Sequence, residues 1–184
     1  MKLINAFNQV RDYFRERRAL SHAFDAASKA ITQGDVPTFE RAFQRHDFGD
    51  LKAKELLLSS IHHDQPEIFH KILNREFGGD VNYTVTSFDN KGPGGPVITA
   101  EEPVLNYALS HNAQNVAQSL LDSPAINLFK RGHSASTVYQ LGGLFAGACH
   151  VTRCEETPSA LDVARKHGMN DMAAKIIQRA AKKL

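Results

Sequence analysis

The chain has 184 residues, 42% of them hydrophobic and 23% charged, an ordinary composition for one packed domain. A net charge of +2 is too small to point to nucleic acid or an anionic membrane as partner, and no apolar run approaches the roughly 18 residues of a membrane span. Two cysteines, Cys149 and Cys154, are too few for a disulfide-built secreted scaffold and fit reduced thiols. Lys2 is followed by polar Asn5, Asn8, Gln9 and Arg11, which leaves no apolar signal-peptide core. The expected location is the cytoplasm, or export by a signal-independent machine.

Leu3, Ile4, Phe7, Val10 and Phe14 recur at steps of three and four, which predicts an amphipathic helix over 3–18. This helix is expected to act as a cap, so that 1–20 is a capping helix and 21–184 a repeat domain. Four later segments superimpose when anchored on Gly34, Asp64, Asn112 and Gly168. Four residues before each anchor stands a small residue: Ala30, Ser60, Ala108, Ala164. Seven before stands an apolar one: Ala27, Leu57, Leu105, Leu161. Eight and nine after stand the pairs Ala42-Phe43, Ile72-Leu73, Leu120-Leu121 and Ile176-Ile177. This is one helix-turn-helix unit written four times, the pattern of a solenoid. Pro37 and Pro66 suit the first turn of the second helix in their units, where the missing N–H costs nothing. The small residues are expected where helix backbones come closest, and the apolar pairs are expected to form the core.

The anchors are 30, 48 and 56 residues apart, so the last two intervals carry insertions. The first, about 83–102, contains Asp89-Asn90-Lys91-Gly92-Pro93-Gly94-Gly95-Pro96 and is read as a finger loop without regular structure. The second, about 129–156, has an apolar middle over 138–149. It is expected to pack on the stack as a short helix or hairpin, or to be covered by a partner.

Thr157-Pro158-Ser159-Ala160-Leu161-Asp162-Val163-Ala164, ending on Gly168, resembles the opening of an ankyrin repeat with one residue extra. Pro103-Val104-Leu105-Asn106-Tyr107-Ala108 resembles the same opening without its threonine, and Gly78-Gly79-Asp80-Val81-Asn82 is similar to an ankyrin closing segment. The resemblance implies an all-α solenoid of about four ankyrin-like helix pairs, with a capping helix and two loop insertions. It also implies a protein–protein interaction module whose partner lies on the concave face and the finger loops. The residues expected to make that contact are His62, His63, Tyr107, His111, Lys166, His167, Asp89, Asn90 and Lys91. The residue before each anchor is Gln33, His63, His111 or His167, so the arrangement would stack three histidines in a column. At the about 8–10 Å of helix packing they cannot share a metal, and such a column is expected instead to make partner binding depend on pH. The other reading is of polar residues at exposed helix ends. The basic clusters Arg11, Arg15, Arg17, Arg18 and Lys175, Arg179, Lys182, Lys183 are read as solvated faces of the terminal helices.

Catalytic and metal signatures are weak. Cys149-x4-Cys154, even with His150 and His133, is a poor match to structural zinc spacing. His62-His63-Asp64 lacks the scaffold of an iron site, the glycine-rich loop lacks Gly-Lys-Ser/Thr, and no nucleophile motif occurs. The expectation is therefore a non-enzymatic monomer that binds another protein, with no cofactor, no metal, no nucleic acid and no membrane. A bacterial or phage effector and an immunity-type inhibitor both fit. The alternatives are a metal-dependent or enzymatic module built on 129–156, or a structural subunit that self-associates.

Overall fold

The computed structural model describes residues 2–90, 97–140 and 149–182. Within them the order is α1 (Lys2–Gln33), α2 (Val36–Gln44), α3 (Gly49–His62), α4 (Pro66–Glu76), β1 (Thr84–Asn90), β2 (Val97–Pro103), α5 (Val104–Ser110), α6 (Gln114–Asp122), β3 (His133–Gln140), β4 (Cys149–Glu156), α7 (Ala160–Lys166) and α8 (Asn170–Ala181). The chain divides into two compact units, Met1–Gly79 and Asp80–Leu184.

The first unit holds two helix pairs. A single 32-residue helix, α1, covers both the segment expected to cap and the first helix of the first pair. From Arg11 onward its first buried residue is Ala23; beyond it Ala27, Ala30 and Ile31 are buried where α1 contacts α2 and α3. Phe39, Phe43 and Phe48 stack in series, with ring centroids 4.9 and 5.9 Å apart. The Arg75 guanidinium lies 4.5 Å from the Phe43 ring centroid, and the same side chain donates to the Phe43 and His46 carbonyls, fastening α4 to the end of α2. Leu56, Leu57, Ile61, Ile68, Phe69, Ile72 and Leu73 are fully buried.

In the second unit α5 packs on α6 and α7, and α8 packs on α6 and α7. Here Leu109, Val116, Ala117 and Leu120 are fully buried. Ser159 starts α7 with a reciprocal capping box, in which its hydroxyl accepts from the Asp162 N–H and the Asp162 carboxylate accepts from the Ser159 N–H.

The four turns fall on the four anchors. Gly34, Asp64, Asn112 and Gly168 all take positive φ, between 50° and 70°. In each, the next residue's N–H donates to the carbonyl of the small residue: Asp35 to Ala30, Gln65 to Ser60, Ala113 to Ala108 and Met169 to Ala164, every one at 2.9 Å. This is the closing bond of a left-handed helix C-cap. The small residues are at most 1% exposed.

The fold class nevertheless differs from the expectation. The segments read as insertions are two β-hairpins that pair with each other in one four-stranded antiparallel sheet, in the order β1-β2-β3-β4. An ankyrin-like all-α solenoid has no such sheet, so the resemblance and the fold class drawn from it are corrected. The physical reason lies in the strands on either side of each hairpin tip. Thr84-Val85-Thr86, Val97-Ile98-Thr99, Thr137-Val138-Tyr139 and Val151-Thr152 are β-branched or aromatic runs. The glycines and prolines that suggested a structureless loop come between β1 and β2 in the sequence. Residues 91–96 and 141–148, including the middle of the apolar stretch, lie outside the described residues.

The helical pairs are open to two tests. Asn112 bears a Cβ at φ 56°. Asn112→Ala should lower stability by about 1 kcal/mol in urea unfolding, whereas Asn112→Gly should not, because only glycine enters that region without steric cost. His70 is half-buried on α4 beside Phe69, and this burial holds its imidazole below the ordinary value near 6.5. The neutral form is thus favoured in the folded chain. Its contribution is fully present above about pH 6.5 and is lost as pH falls, because the unfolded chain takes up the proton first. Urea midpoints should fall on moving from about pH 7.5 to about pH 5.5, and His70→Gln should flatten part of that fall.

Candidate functional site

The sheet grows from the helices at one end. The Val104 N–H at the start of α5 donates to the Tyr83 carbonyl at 2.8 Å, and Val85 on β1 is buried. Asn106 on α5 is 2% exposed, and its side-chain amide donates to the Pro158 carbonyl at 2.7 Å, just past β4. The Asn82 side chain donates to the Ala125 carbonyl at 3.0 Å and accepts from the Asn127 N–H at 2.6 Å, holding the chain before β1 to the loop after α6. Among the described residues every buried side-chain polar group is satisfied, as low-dielectric surroundings require.

The tightest point is Gly132, immediately before β3. A Cβ built there would lie 1.8 Å from the Glu101 carbonyl oxygen and 2.9 Å from the Glu102 Cα. Only glycine lets β3 run that close to β2. Gly132 also pairs with Thr157: its N–H donates to the Thr157 hydroxyl at 2.8 Å, and its carbonyl accepts from the Thr157 N–H at 3.0 Å.

From this base the register runs outward. Thr86, Glu101, His133 and Glu156 face one another in a row across all four strands. An imidazole thus sits between two carboxylate-bearing neighbours, with Arg131 paired to Glu156 at 2.8 Å. Beside the row, the Tyr107 phenol is pushed up by burial first and by the Glu102 charge second. Among the described residues no group of three or more His, Cys, Asp or Glu is placed to hold a metal ion. Cys149 and Cys154, read as loop cysteines, are residues of strand β4 in register with Gln140 and Ala135.

The outer strands have different surroundings. β1 begins against α5, while β4 pairs with β3 alone in the sheet. The Thr157 N–H bond to Gly132 sets the phase of the antiparallel ladder. By alternation, the N–H groups of Glu155, Arg153 and Val151 turn to β3, and those of Glu156, Cys154, Thr152 and His150 point away from the sheet. β4 is eight residues long and contains no proline.

The residues expected to form a concave binding face belong to several elements of both units. His62 ends α3, and Lys166 ends α7. His63, His111 and His167 are C-cap residues, and their N–H groups close the last helical turn on Ser59, Tyr107 and Val163. His63 belongs to the first unit and the other two to the second. His111 is held down locally, with Nδ1 2.9 Å from the Tyr107 carbonyl and 3.2 Å from the Ser110 hydroxyl, and its ring 4.1 Å from the Tyr107 ring. Tyr107 itself is only 7% exposed. The feature that His63, His111 and His167 share is the C-cap position of a helix. Asp89 and Asn90 end strand β1 and are not loop residues, and Lys91 lies outside the described residues. An ankyrin-type module has no four-stranded sheet, so the function built on its concave face is corrected. Sequence reasoning missed Gly132, Asn106, Thr157 and the β4 edge. The β-branched and aromatic runs Thr137-Val138-Tyr139 and Val151-Thr152 were the available signal.

Compared with protein-family models, curated proteins and solved structures, the chain matches none. No helix among the described residues is long and apolar enough to cross a membrane.

Gly132→Ala should destabilise the chain by about 1–3 kcal/mol or more, because neither backbone can move aside without breaking ladder bonds. Urea unfolding measures the loss, and amide exchange should locate it in β2 and β3 rather than in α3 and α4.

Proposed function

We propose that this chain is a binding module that accepts an extended segment of a protein partner as a fifth strand along the open edge of β4. The observation that carries the reading is the position of β4: among the described residues it pairs with β3 alone, and ladder alternation turns the N–H groups of His150, Thr152, Cys154 and Glu156 away from β3. Strand addition draws its affinity from main-chain hydrogen bonds and its selectivity from alternate side chains. The edge lacks the proline that would block pairing, while Arg153, Glu155 and Glu156 supply the charge by which an exposed strand resists indiscriminate association. The module works by binding rather than turnover, as a monomer in its resting state. Its two cysteines, read as reduced thiols, favour the cytoplasm.

The test selects extended peptides from a displayed library on the whole chain and then follows backbone amide exchange with and without a selected peptide. Bound peptide should slow exchange at Thr152, Cys154 and Glu156. Thr152→Pro removes one outward donor without touching the ladder to β3, and should weaken binding roughly tenfold while leaving the unfolding midpoint nearly unchanged. Outward amides already protected in the free chain, or selected peptides indifferent to Thr152→Pro, would overturn the reading.

A further inference from the structure

The N-terminal half of α1 has no packing partner over its described side chains. Every residue from Arg11 to Ala19 is exposed, including Tyr13 at 55% and Phe14 at 62%. A solvated face alone does not explain these aromatics. At 3.6 residues per turn, Phe14 stands on the stripe that the sequence continues through Val10, Phe7 and Leu3. Charge is sorted around that stripe. Arg11, Arg15 and Arg18 border it on one side, lining a shallow groove with Phe14, Ala19 and His22, and Arg17 borders it on the other. The two acidic residues of the segment, Asp12 and Glu16, fall toward the far side, although Arg11 Nε still reaches the Asp12 carboxylate at 3.8 Å. Arg17 also lies over the Tyr13 ring, 5.8 Å from its centroid.

This sorting chooses the occupant. A second copy packed on the same stripe would bring the bordering arginines of the two helices together. A lone convex helix has no second wall to grip a peptide. An anionic phospholipid surface meets both demands at once: it takes the apolar stripe below and neutralises the bordering cations at the phosphate level, as basic interfacial helices do.

We propose that the N-terminal half of α1 is an interfacial anchor that lies on an anionic phospholipid surface, with Phe14 in the acyl boundary and Arg11, Arg15 and Arg18 at the phosphates. The net charge of +2 hides this, because it sums the sorted arginines with acids elsewhere in the chain. Lying on a surface also needs no spanning helix.

The chain contains no tryptophan, so Phe14→Trp gives a sole indole reporter in the full chain. Its emission should shift to the blue with phosphatidylcholine–phosphatidylserine vesicles and not with pure phosphatidylcholine, and the shift should weaken as salt rises. Cosedimentation of the otherwise unaltered chain should agree. Arg11→Glu, Arg15→Glu and Arg18→Glu together should weaken binding at least about a hundredfold, at roughly fivefold per basic residue near an anionic surface. The same three positions changed to Lys should retain it, and all three are exposed, so circular dichroism and the unfolding midpoint should hold in both variants. Failure to bind phosphatidylserine vesicles would overturn the proposal, and equal binding to neutral vesicles would remove the role given to the arginines. A dimer in lipid-free solution that is lost on Phe14→Asp would assign the stripe to a second copy instead. Binding to an acidic polypeptide such as polyglutamate without binding to vesicles would assign it to an acidic protein.

Discussion

An isolated two-stranded hairpin is marginal in water, because one ladder of hydrogen bonds and one thin apolar face do not offset the entropy of ordering it. This chain contains two hairpins separated by a helix pair, and their stability rests on pairing β2 with β3. That seam joins Val97–Glu101 to His133–Thr137 and turns two weak hairpins into one four-stranded sheet. It closes only because Gly132 lets the β3 backbone pass against Glu101, where any Cβ would collide. The seam also decides which strands are interior and which are edges. The phase that turns alternate β4 N–H groups away from β3 depends on a contact two strands away.

The helices of the second unit serve the sheet as a foundation. α5 lies between the two hairpins in sequence and touches the first through Val104 and Tyr83. It reaches the end of the second through Asn106 and the Pro158 carbonyl. A buried asparagine amide left without its acceptor would cost about 1–3 kcal/mol, so this bond penalises any arrangement in which β4 leaves the helix pair. Thr157 does the same on the other side, by pairing with Gly132 through both main chain and hydroxyl. Thr157 and Pro158 thus hold the base of the sheet, which gives the Thr-Pro dipeptide a physical task here that needs no repeat family.

What was legible in the sequence was local. Gly34, Asp64, Asn112 and Gly168 mark left-handed turns because few residue types tolerate that backbone, and the small residue four before each must admit the closing bond. Such constraints act over five or six residues and leave a trace at every copy. The β2–β3 seam couples residues more than thirty positions apart, and its strands are at least partly exposed at most positions whose burial is described. The strands show little strict alternation of apolar and polar residues, the signal that sequence reading relies on. The histidines before the anchors illustrate the opposite error. Their recurrence is real and places each histidine at the C-cap of a helix, and a repeated local position looks in sequence like a shared surface.

The two edges of the sheet carry unequal risk. β1 is shielded at its start by α5, and its register ends at Asn90 opposite Val97, close to the hairpin tip. Among the described residues β4 turns four N–H groups away from β3 over eight residues, and a chain selected only for solubility would be expected to blunt such an edge with proline or a bulge. Instead the charged residues of β4 gather in its second half, at Arg153, Glu155 and Glu156, where the strand approaches the helices. The half with Val151 and Thr152 is left uncharged. Charge at one end of an edge discourages stacking in arbitrary register, because a slipped strand would carry its own side chains past those carboxylates. It still admits one strand of matching phase, so an edge protected in this way stays selective without being closed.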